Sequence, residues 1–367
     1  MKKNIKIFII AGEVSGDVLG AKIIRELSGV RFAGIGGEHM RAAGLKSLFP
    51  ISDLAVMGFF EVLARAKTLT RRINETVLAI EKFQPDIVLS IDAPGFAKRV
   101  VKKARKARLS AKFYHVVAPQ VWAWGEKRAK KFAKIFDRLY AFFDFEVPYF
   151  TKYGLETVPV GHPIADGLKP VKKDNIIKNI ALIPGSRMSE VRKLLPIFRR
   201  FVEQISFDGG QKYKFYIPIV ETTEKYIRKE TADWPVRPAL VPAMRRYDLF
   251  AKTGIAIAAS GTVSAELAIM HIPAIVVYKM NPLTMFLARL VLKTEWVSLV
   301  NILLKKKVYS ELLGGDATPE NIMIEFQRLE NPVVRKKMIS ELSDADKIWT
   351  RGGKSAAKLI AFDIMKV

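Results

Sequence analysis

The chain has 367 residues, 50% of them hydrophobic and 26% charged, a composition typical of a globular protein with room for two domains. It contains no cysteine, which excludes disulfides, zinc–thiolate sites and thiol nucleophiles, and its 4 histidines argue against a histidine-rich metal site. The formal net charge of +25 predicts a polyanionic partner, either a nucleic acid, an anionic membrane surface or a phosphorylated substrate.

Short β-branched runs alternate with segments of helical spacing along the chain. The first run, Ile5–Ile10, is expected to be a buried strand and not a signal peptide, because Lys6 interrupts it and no small-residue cleavage site follows. Further strands are predicted at Asp86–Ile91, Phe113–Val117, Ile180–Ile183, Lys214–Ile217, Ile255–Ala258 and Ala274–Val277. This alternation predicts an α/β fold with doubly wound parallel sheets.

The segment Pro163–Asn175 interrupts this alternation with two prolines, a glycine and a charge cluster, as expected of an interdomain linker. We therefore predict a Rossmann-like domain over residues 1–165, a second one over 166–345 and a terminal helical segment over 346–367. Ligands of such sheets bind beyond the carboxyl ends of the strands, so a cleft between the two domains is expected. No stretch has the roughly 18 uncharged apolar residues that a membrane-spanning helix needs.

The segment Ala11–Asp17 (AGEVSGD) follows the first predicted strand directly. Its two glycines allow a tight turn and a close approach of the backbone to a ligand. Ser15 and Asp17 would suit either a ligand or a helix cap, whereas Glu13 in the turn has no capping role. The segment is not a dinucleotide fingerprint, and in Gly34–His39 a histidine replaces the third glycine, so a nicotinamide enzyme is disfavoured.

A carboxylate, Asp92, follows the second predicted strand in Ser90–Gly95 (SIDAPG). At the carboxyl end of a parallel strand it would face the expected cleft, where it could take the proton of an attacking hydroxyl group as general base. Asp92 would equally suit the cap of a helix that begins near Pro94. The residues alone leave both roles open.

Two tryptophans stand beside Pro119 in His115–Gly125 (HVVAPQVWAWG), after a third predicted strand. Such an aromatic shelf can stack a sugar ring or hold an acyl chain, and ordinary packing explains it equally well. Gln120 and Trp122 are the candidate substrate contacts of this loop.

The turn Pro184–Arg187 lies between the first strand and the first helix predicted for the second half. Gly185 and Ser186 in such a turn expose backbone N–H groups to an anion, and Arg187 can hold a phosphate through two donors. The alternative is a plain surface arginine.

A similar turn, Ser260-Gly261-Thr262, separates a later strand from its helix, and its N–H and hydroxyl groups suit a diphosphate. Glu266 lies one helical turn beyond Thr262, so both can face one ligand, and its carboxylate can accept hydrogen bonds from ribose hydroxyls. The two turns together predict a nucleoside diphosphate site. No Asp-x-Asp pair follows a strand, and no metal is expected.

With Ala55–Val62, Gly161–Pro163 and Val297–Ile302, these segments stand in the order found in the lipid-A-disaccharide synthase family, which the chain resembles over nearly its whole length. The resemblance implies a GT-B fold of two Rossmann-like domains with a cleft between them and a last helix that crosses back to the first domain. It implies an inverting glycosyltransferase that joins UDP-2,3-diacylglucosamine to 2,3-diacylglucosamine 1-phosphate through a β(1→6) bond and releases UDP. It also implies a cytoplasmic enzyme, peripheral on the inner membrane, and no cofactor is expected.

Carried over residue by residue, the resemblance makes Asp92 the general base and Glu13 the next candidate. The candidate substrate contacts in the first domain are Ser15, Asp17, Met57, Glu61, Gln120 and Trp122, and the candidate UDP contacts in the second are Gly185, Ser186, Arg187, Ser260, Gly261, Thr262, Glu266 and Asn301. Two positions depart from the family pattern, since Gly95–Ala97 replaces an Asp-Phe-Asn run and Gly314 replaces a glutamine after Glu311.

The segment Met57–Lys67, followed by Arg71 and Arg72, has the make-up of an interfacial amphipathic helix and predicts binding to an anionic membrane surface. One alternative is another GT-B enzyme acting on UDP-N-acetylglucosamine, such as a 2-epimerase. A second alternative is a nucleic-acid-binding protein, because basic residues cluster in Lys98–Arg108 and Lys127–Lys134. No nucleic-acid module accompanies these clusters, and solvated helix faces explain them as well, so no nucleic-acid partner is expected.

Overall fold

A computed structural model describes residues 5–54, 66–123, 125–171, 178–209, 212–279 and 294–366. The chain divides into two compact units. Unit 1 comprises Met1–Asp166 and Thr350–Val367, and unit 2 comprises Gly167–Trp349. The division after Asp166 falls within the segment Pro163–Asn175, and the chain returns to unit 1 at Thr350.

Unit 1 is built on a six-stranded parallel sheet in the order β2-β1-β3-β4-β5-β6. The strands are β1 Lys6–Ala11, β2 Arg31–Ile35, β3 Ile87–Ile91, β4 Lys112–Val116, β5 Arg138–Ala141 and β6 Glu156–Pro159. The central strands β1 and β3 are almost wholly apolar and buried, because helices cover both faces of the sheet. The strand order reverses between β1 and β3, which makes this pair the switch point of unit 1.

Two helical layers cover the sheet of unit 1. The helices are α1 Val14–Glu26, α2 Glu38–Ala42, α3 Ala66–Phe83, α4 Pro94–Lys106, α5 Lys127–Ala133, α6 Val147–Thr151 and a returning helix, Ala356–Ile364. Helices α3 to α6 share one hydrophobic cluster with sheet residues such as Phe8 and Val88. Helix α1 and the returning helix share a second cluster with Ile7 and Ile9. Because side chains alternate along a strand, the two clusters lie on opposite faces of the sheet.

The returning helix is held to the sheet by polar contacts as well as by its apolar face. Arg138 on β5 donates to the Asp363 carboxylate at 2.7 Å, and the Tyr140 hydroxyl donates to the same oxygen at 3.0 Å. Ile360 and Ile364 are fully buried in the cluster that α1 also enters. The helix is therefore an integral part of unit 1.

Unit 2 contains a second six-stranded parallel sheet, in the order β12-β11-β10-β7-β8-β9. Its strands are β7 Asn179–Ile183, β8 Lys214–Ile219, β9 Ala239–Pro242, β10 Ile255–Ala259, β11 Ala274–Tyr278 and β12 Ser310–Leu313. The order reverses between β7 and β10, so this pair forms the switch point of unit 2.

The helices of unit 2 connect these strands and pack on the sheet. They are α7 Met188–Gly209, α8 Glu221–Glu230, α9 Arg246–Lys252, α10 Thr262–Ile269, α11 Leu299–Leu304, α12 Pro319–Glu330, α13 Pro332–Ser343 and α14 Asp346–Trp349. Helices α7 and α12 meet through Phe201 and Phe326, whose ring centroids are 5.4 Å apart. The prediction of an α/β fold with doubly wound parallel sheets is confirmed.

Within the described ranges, no helix combines the length and the apolar character that crossing a bilayer requires.

Candidate functional site

In unit 1 the loops after β1 and β3 contact each other at the switch point. A Cβ atom on Gly12 would lie 2.2 Å from the Cβ atom of Ala93, so only glycine permits this approach. The contact brings Glu13 and Ser15 close to Asp92, whose carboxylate lies 3.5 Å from the Ser15 hydroxyl, the outer limit of a hydrogen bond. Two segments that are distant in sequence thus form one polar turn.

The backbone of this turn is strained. Asp92 and Ala93 adopt φ values of 55° and 45°, in the left-handed region that non-glycine residues rarely occupy. The Asp92 N–H donates to the Val116 carbonyl at 3.1 Å, and the Asp92 carboxylate accepts from the Ala93 N–H at 2.8 Å, which fixes the side chain. At the end of the neighbouring β4, Val117 has a φ of 82°, unfavourable for a β-branched residue. Strain of this kind is concentrated at ligand and active sites.

The two carboxylates of the turn have no cationic partner among the described residues. Partial loss of hydration and the neighbouring Asp92 charge raise the pKa of Glu13. Glu13 is the N-cap residue of α1, and its side chain accepts no capping hydrogen bond. A pair of close carboxylates without a cation suits a proton acceptor.

Asp17 has a structural role in this structure. It is 3% exposed, and its carboxylate accepts the backbone N–H groups of Gly37, His39 and Met40 at 2.7, 2.9 and 3.0 Å. These are the N–H groups at the start of α2, so Asp17 ties the loop after β2 to α1. The side chain of Asp17 therefore positions the backbone of this loop.

The remaining candidates of unit 1 divide into two groups. Gln120 has an exposed side chain, and Trp122 packs edge-to-face on Phe145 with ring centroids 5.4 Å apart. Met57 and Glu61 lie outside the described residues, as does most of the segment predicted to be an interfacial helix.

The three residues Gly95–Ala97, which depart from the family pattern, differ in their exposure to solvent. Gly95 is exposed at the start of α4, whereas Phe96 and Ala97 are buried in the core of unit 1. Of these three positions, only the first faces solvent.

In unit 2 a pocket of about 430 Å³ opens at the switch point between β7 and β10, a size common for small-ligand sites. The structure brings together here seven of the predicted UDP contacts, namely Gly185, Ser186, Arg187, Ser260, Gly261, Thr262 and Glu266. Apolar side chains complete the lining, among them Pro218, Val220 and Phe250. The pocket is therefore part polar and part apolar.

Both turns of this pocket depend on glycine. Gly185 has a φ of 100°, and a Cβ atom there would lie 2.3 Å from the Glu190 carboxylate. Gly261, with φ 153° and ψ −161°, occupies a region essentially restricted to glycine. Helices α7 and α10 begin directly after these turns, and their first N–H groups have no acceptor inside the helix. Two helix N-termini beside one pocket favour an anionic ligand.

Glu266 is held by two residues that the sequence did not single out. Arg246 donates to its carboxylate at 2.9 and 3.1 Å, and the Tyr247 hydroxyl donates at 2.8 Å. Burial, followed by the hydrogen bond to Glu266, raises the pKa of Tyr247 to about 12. A carboxylate accepts about four hydrogen bonds, so Glu266 keeps room for one more, from a ligand hydroxyl. Nothing in the local sequence links Arg246 to Glu266, 20 positions away.

Arg187 differs from Arg246 in being largely exposed. Its side chain is 69% exposed, and its contact in the protein is a 3.3 Å ion pair with Glu190. An exposed guanidinium at the mouth of the pocket can reorient toward a phosphate.

Asn301, the eighth predicted UDP contact, lies apart from the other seven. Its amide oxygen accepts the N–H groups of Val308 and Tyr309, and its amide nitrogen donates to the Tyr309 carbonyl and to Glu311. These four hydrogen bonds exhaust the capacity of the side chain, which is fully buried and does not line the pocket. Asn301 stabilises the segment between α11 and β12.

Glu311 belongs to the same network, and Gly314 follows it in a turn. The Glu311 carboxylate accepts the N–H groups of Val297 and Ser298 at 2.9 Å each. Gly314 has a φ of 60°, so glycine relieves strain at a position where the family pattern has glutamine.

No group of three or more potential metal-ligating side chains is found in the part of the chain that the structure describes.

Solved structures with a similar fold cover nearly the whole chain. The UDP-GlcNAc 2-epimerase from Neisseria meningitidis, solved with UDP-GlcNAc, matches with a TM-score of 0.64 and 14% identity, over 99% of this chain and 100% of the other. The MurG protein of Acinetobacter baumannii matches with a TM-score of 0.62 and 13% identity, over the same shares of the two chains. At this identity the likeness concerns the fold, and it defines the chain as a two-domain protein of the GT-B class.

Sequence comparison identifies the family within that class. The model of the lipid-A-disaccharide synthetase family matches residues 7–358. The lipid-A-disaccharide synthase of Rhodospirillum centenum is 38% identical over 100% of this chain and 95% of its own length, and that of Gluconobacter oxydans is 38% identical over 93% and 86%. The chain belongs to the lipid-A-disaccharide synthase family and is an enzyme, a glycosyltransferase.

Proposed function

We propose that the enzyme joins UDP-2,3-diacylglucosamine to 2,3-diacylglucosamine 1-phosphate through a β(1→6) bond and releases UDP. The formation of a lipid A disaccharide follows from the family. The observation that carries the assignment of the donor is the pocket of unit 2, where two glycine turns, two helix N-termini and an exposed arginine surround about 430 Å³.

In this proposal the UDP moiety binds in the pocket of unit 2. The N–H groups of the turns at Gly185–Arg187 and Ser260–Thr262 hold the diphosphate, and Arg187 turns from Glu190 toward it. Glu266 accepts a ribose hydroxyl at its remaining acceptor position. The apolar part of the lining receives the uracil ring. Arg187 and the helix N-termini also stabilise the negative charge that develops on the leaving diphosphate.

The reaction is a single displacement with inversion at the anomeric carbon. Asp92 takes the proton of the acceptor 6-hydroxyl, and the oxygen forms a bond to the anomeric carbon of the donor. The bond from that carbon to the diphosphate oxygen breaks, and its electron pair leaves with UDP. Two properties of the turn support Asp92 as the base: no cation neutralises it among the described residues, and hydrogen bonds from Ala93 and Ser15 orient its carboxylate.

We further propose that the enzyme is peripheral on the cytoplasmic face of the inner membrane. Both substrates carry acyl chains and therefore reside in a bilayer. The formal net charge of +25 supports attraction to anionic lipids.

The direct test is to incubate the purified enzyme with the two lipids in a neutral detergent. We expect a disaccharide 1-phosphate and an equal amount of UDP, detected by mass spectrometry and by a UDP assay. Omission of the acceptor should abolish both products. Conversion of UDP-N-acetylglucosamine to its C2 epimer, without formation of a disaccharide, would instead support a 2-epimerase and refute the proposal.

A further inference from the structure

Helices α4 and α5 of unit 1 flank a second concavity, of about 590 Å³, which we name the basic groove. It is lined by Lys102, Arg105, Lys106, Lys131, Lys134 and Ile135. Among the described residues, no carboxylate and no aromatic ring belongs to this lining. The four lysines are exposed, so their ammonium groups are accessible to a ligand.

Most cations of the basic groove have no ion-pair partner in the part of the chain that the structure describes. Arg105 donates to the Ile135 carbonyl and to Asp137, each at 2.8 Å, which fixes its guanidinium and pairs its charge. By contrast, none of the ion pairs found among the described residues involves the four lysines of the groove. The sequence contains no Asp or Glu between Asp92 and Glu126, so this face has few acidic neighbours.

A neighbouring lysine, Lys98, is partly buried and lies close to several of these cations. Partial burial, together with the charges of Arg128, Lys102 and other nearby cations, lowers the pKa of Lys98. Lys98 lies on α4, one turn before Lys102. A bound anion would relieve this repulsion.

We propose that the basic groove binds the phosphate headgroups of anionic phospholipids and thereby docks unit 1 on the membrane surface. The choice of a lipid rests on the proposed function, because acylated substrates require the enzyme to work at a bilayer. The groove is a poor fit for single-stranded nucleic acid, whose binding sites stack bases on aromatic side chains.

Docking at this groove would also position the turn that contains Glu13 and Asp92. Helix α4 begins at Pro94, two residues after Asp92, and the groove lysines on α4 lie eight and twelve positions further along. At a rise of 1.5 Å per residue they are about 12–18 Å from the start of the helix. A headgroup bound in the groove would therefore hold the Asp92 turn close to the lipid surface.

The test compares two variants that each lose four positive charges. The groove variant carries Lys102→Gln, Lys106→Gln, Lys131→Gln and Lys134→Gln. The matched control carries Arg25→Gln, Lys354→Gln, Lys358→Gln and Lys366→Gln, which are exposed positions of the same unit outside the layer of α3 to α6. Flotation with vesicles of phosphatidylcholine containing phosphatidylglycerol measures binding, with pure phosphatidylcholine vesicles as the reference.

We expect the groove variant to bind the anionic vesicles on the order of a thousandfold more weakly than wild type, because each of the four lysines near an anionic surface contributes about 1 kcal/mol. The control should stay within about threefold of wild type, since its cations lie away from the docked surface. Equal weakening of both variants would show that only net charge matters and would overturn the proposal. Unchanged binding of the groove variant would overturn it as well, including the case in which that variant loses only nonspecific retention of DNA.

Two further measurements separate the groove from folding and from catalysis. A variant with the four groove lysines replaced by arginine keeps the charges, and loss of vesicle binding there would contradict the proposal. In neutral detergent the groove variant should form disaccharide at the wild-type rate, whereas on anionic vesicles its rate should fall with its binding. If wild type itself forms no disaccharide in detergent, the proposed function fails while the vesicle comparison still decides on the groove.

Discussion

The switch points of the two units use the same topology for opposite electrostatic arrangements. In unit 2 the turns surround a pocket in which the buried Glu266 is already paired with Arg246 and Tyr247. In unit 1 the turns bring Glu13 and Asp92 together without a cationic partner among the described residues, on a backbone in the left-handed region. In the proposed function, one pair of loops holds an anion and the other leaves a carboxylate free to accept a proton.

This difference shows how one sheet architecture can serve two chemical tasks. A ligand-holding turn benefits from polar groups whose positions are fixed before the ligand arrives. A general base needs an unoccupied acceptor position for the proton. An ion pair with an arginine would make the carboxylate less basic.

The largest effect is expected for Asp92→Asn, which keeps the shape of the side chain and removes the base. We expect turnover to fall by about 10²–10⁴-fold, the usual contribution of general base catalysis. UDP affinity measured by calorimetry should stay at the wild-type value, because the pocket proposed to bind UDP belongs to unit 2. A variant that retains more than about a tenth of wild-type turnover would place the base elsewhere.

Glu13→Gln serves as the comparison for that variant. We expect a smaller loss of turnover, because Glu13 then contributes only its charge beside Asp92. If Glu13→Gln is the more damaging of the two, Glu13 is the base.

The arginines of the unit 2 pocket should separate binding from stability. For Arg187→Ala we expect UDP binding to weaken by about 10–100-fold, the scale of a charge-assisted hydrogen bond, without a change in thermal stability, since the side chain is 69% exposed. For Arg246→Gln we expect a loss of about 1–3 kcal/mol in stability, because the buried Glu266 loses its charged donor. Calorimetry with UDP and thermal denaturation give the two readouts.

Two outcomes would contradict the predictions for Arg187 and Arg246. Equal UDP affinity in wild type and Arg187→Ala would remove Arg187 from the diphosphate site. An Arg246→Gln protein as stable as wild type would show that Glu266 does not depend on the ion pair seen in the structure.

Gly12→Ala tests the contact that assembles the turn of unit 1. The added Cβ atom would collide with Ala93 at 2.2 Å, and we expect about 1–3 kcal/mol of destabilisation and a loss of turnover as the two loops separate. Gly95→Ala is the matched control, because its Cβ atom meets nothing within 4 Å at the start of a helix. The control should be as stable as wild type or slightly more stable. Similar results for both variants would mean that the contact does not matter.

The smallest effect concerns Glu146, a buried carboxyl group of unit 1. Burial, opposed by the N–H groups of Phe143 and Phe142, raises its pKa to about 7. A raised pKa means that the folded state holds the proton more tightly than the unfolded chain, so wild-type stability falls as pH rises from 4.5 to 7. Glu146→Gln should therefore raise the melting temperature relative to wild type by a few degrees at pH 8, for a gain of about 1–2 kcal/mol.

The difference in melting temperature between Glu146→Gln and wild type should nearly vanish at pH 5, because Glu146 is then largely protonated in the folded wild-type protein. Burial lowers the pKa values of His115 and His162 to about 3 and 4, but both histidines titrate alike in the two proteins and cancel in the comparison. A gain of equal size at both pH values would show that Glu146 is not buried as a proton-binding group.

The sequence predicted the central strands because their signal is local. Runs such as Ile87–Ile91 and Ile255–Ala259 are apolar and β-branched, as strands buried on both faces must be. The strands that were not predicted are short, and most contain polar residues or proline: Arg31–Ile35, Arg138–Ala141, Glu156–Pro159, Ala239–Pro242 and Ser310–Leu313. They lie at or next to a sheet edge, where a strand is less enclosed by its neighbours and needs fewer apolar residues.

The site was predictable to the extent that it consists of turns. Glycine-containing turns after strands can be recognised in the local sequence, and the turns of both switch points were predicted in this way. The hydrogen-bond partners of Glu266 and Asp17 could not be predicted from the local sequence, because Arg246 and Gly37 are each 20 positions away in the chain. Whether a polar side chain faces a ligand or satisfies its own fold, as Asn301 does, is decided by such distant contacts.

The returning helix has a consequence for biosynthesis. Ile360 and Ile364 cover part of one face of the unit 1 sheet, yet the ribosome makes them only after the whole of unit 2. At about 5–20 residues per second, the nascent first half waits on the order of ten seconds or more with that apolar face incomplete. Unit 2, whose residues are contiguous, can fold first. Maturation of the enzyme would then run against the usual N-to-C order, and the unfinished face would be the natural target for a chaperone during synthesis.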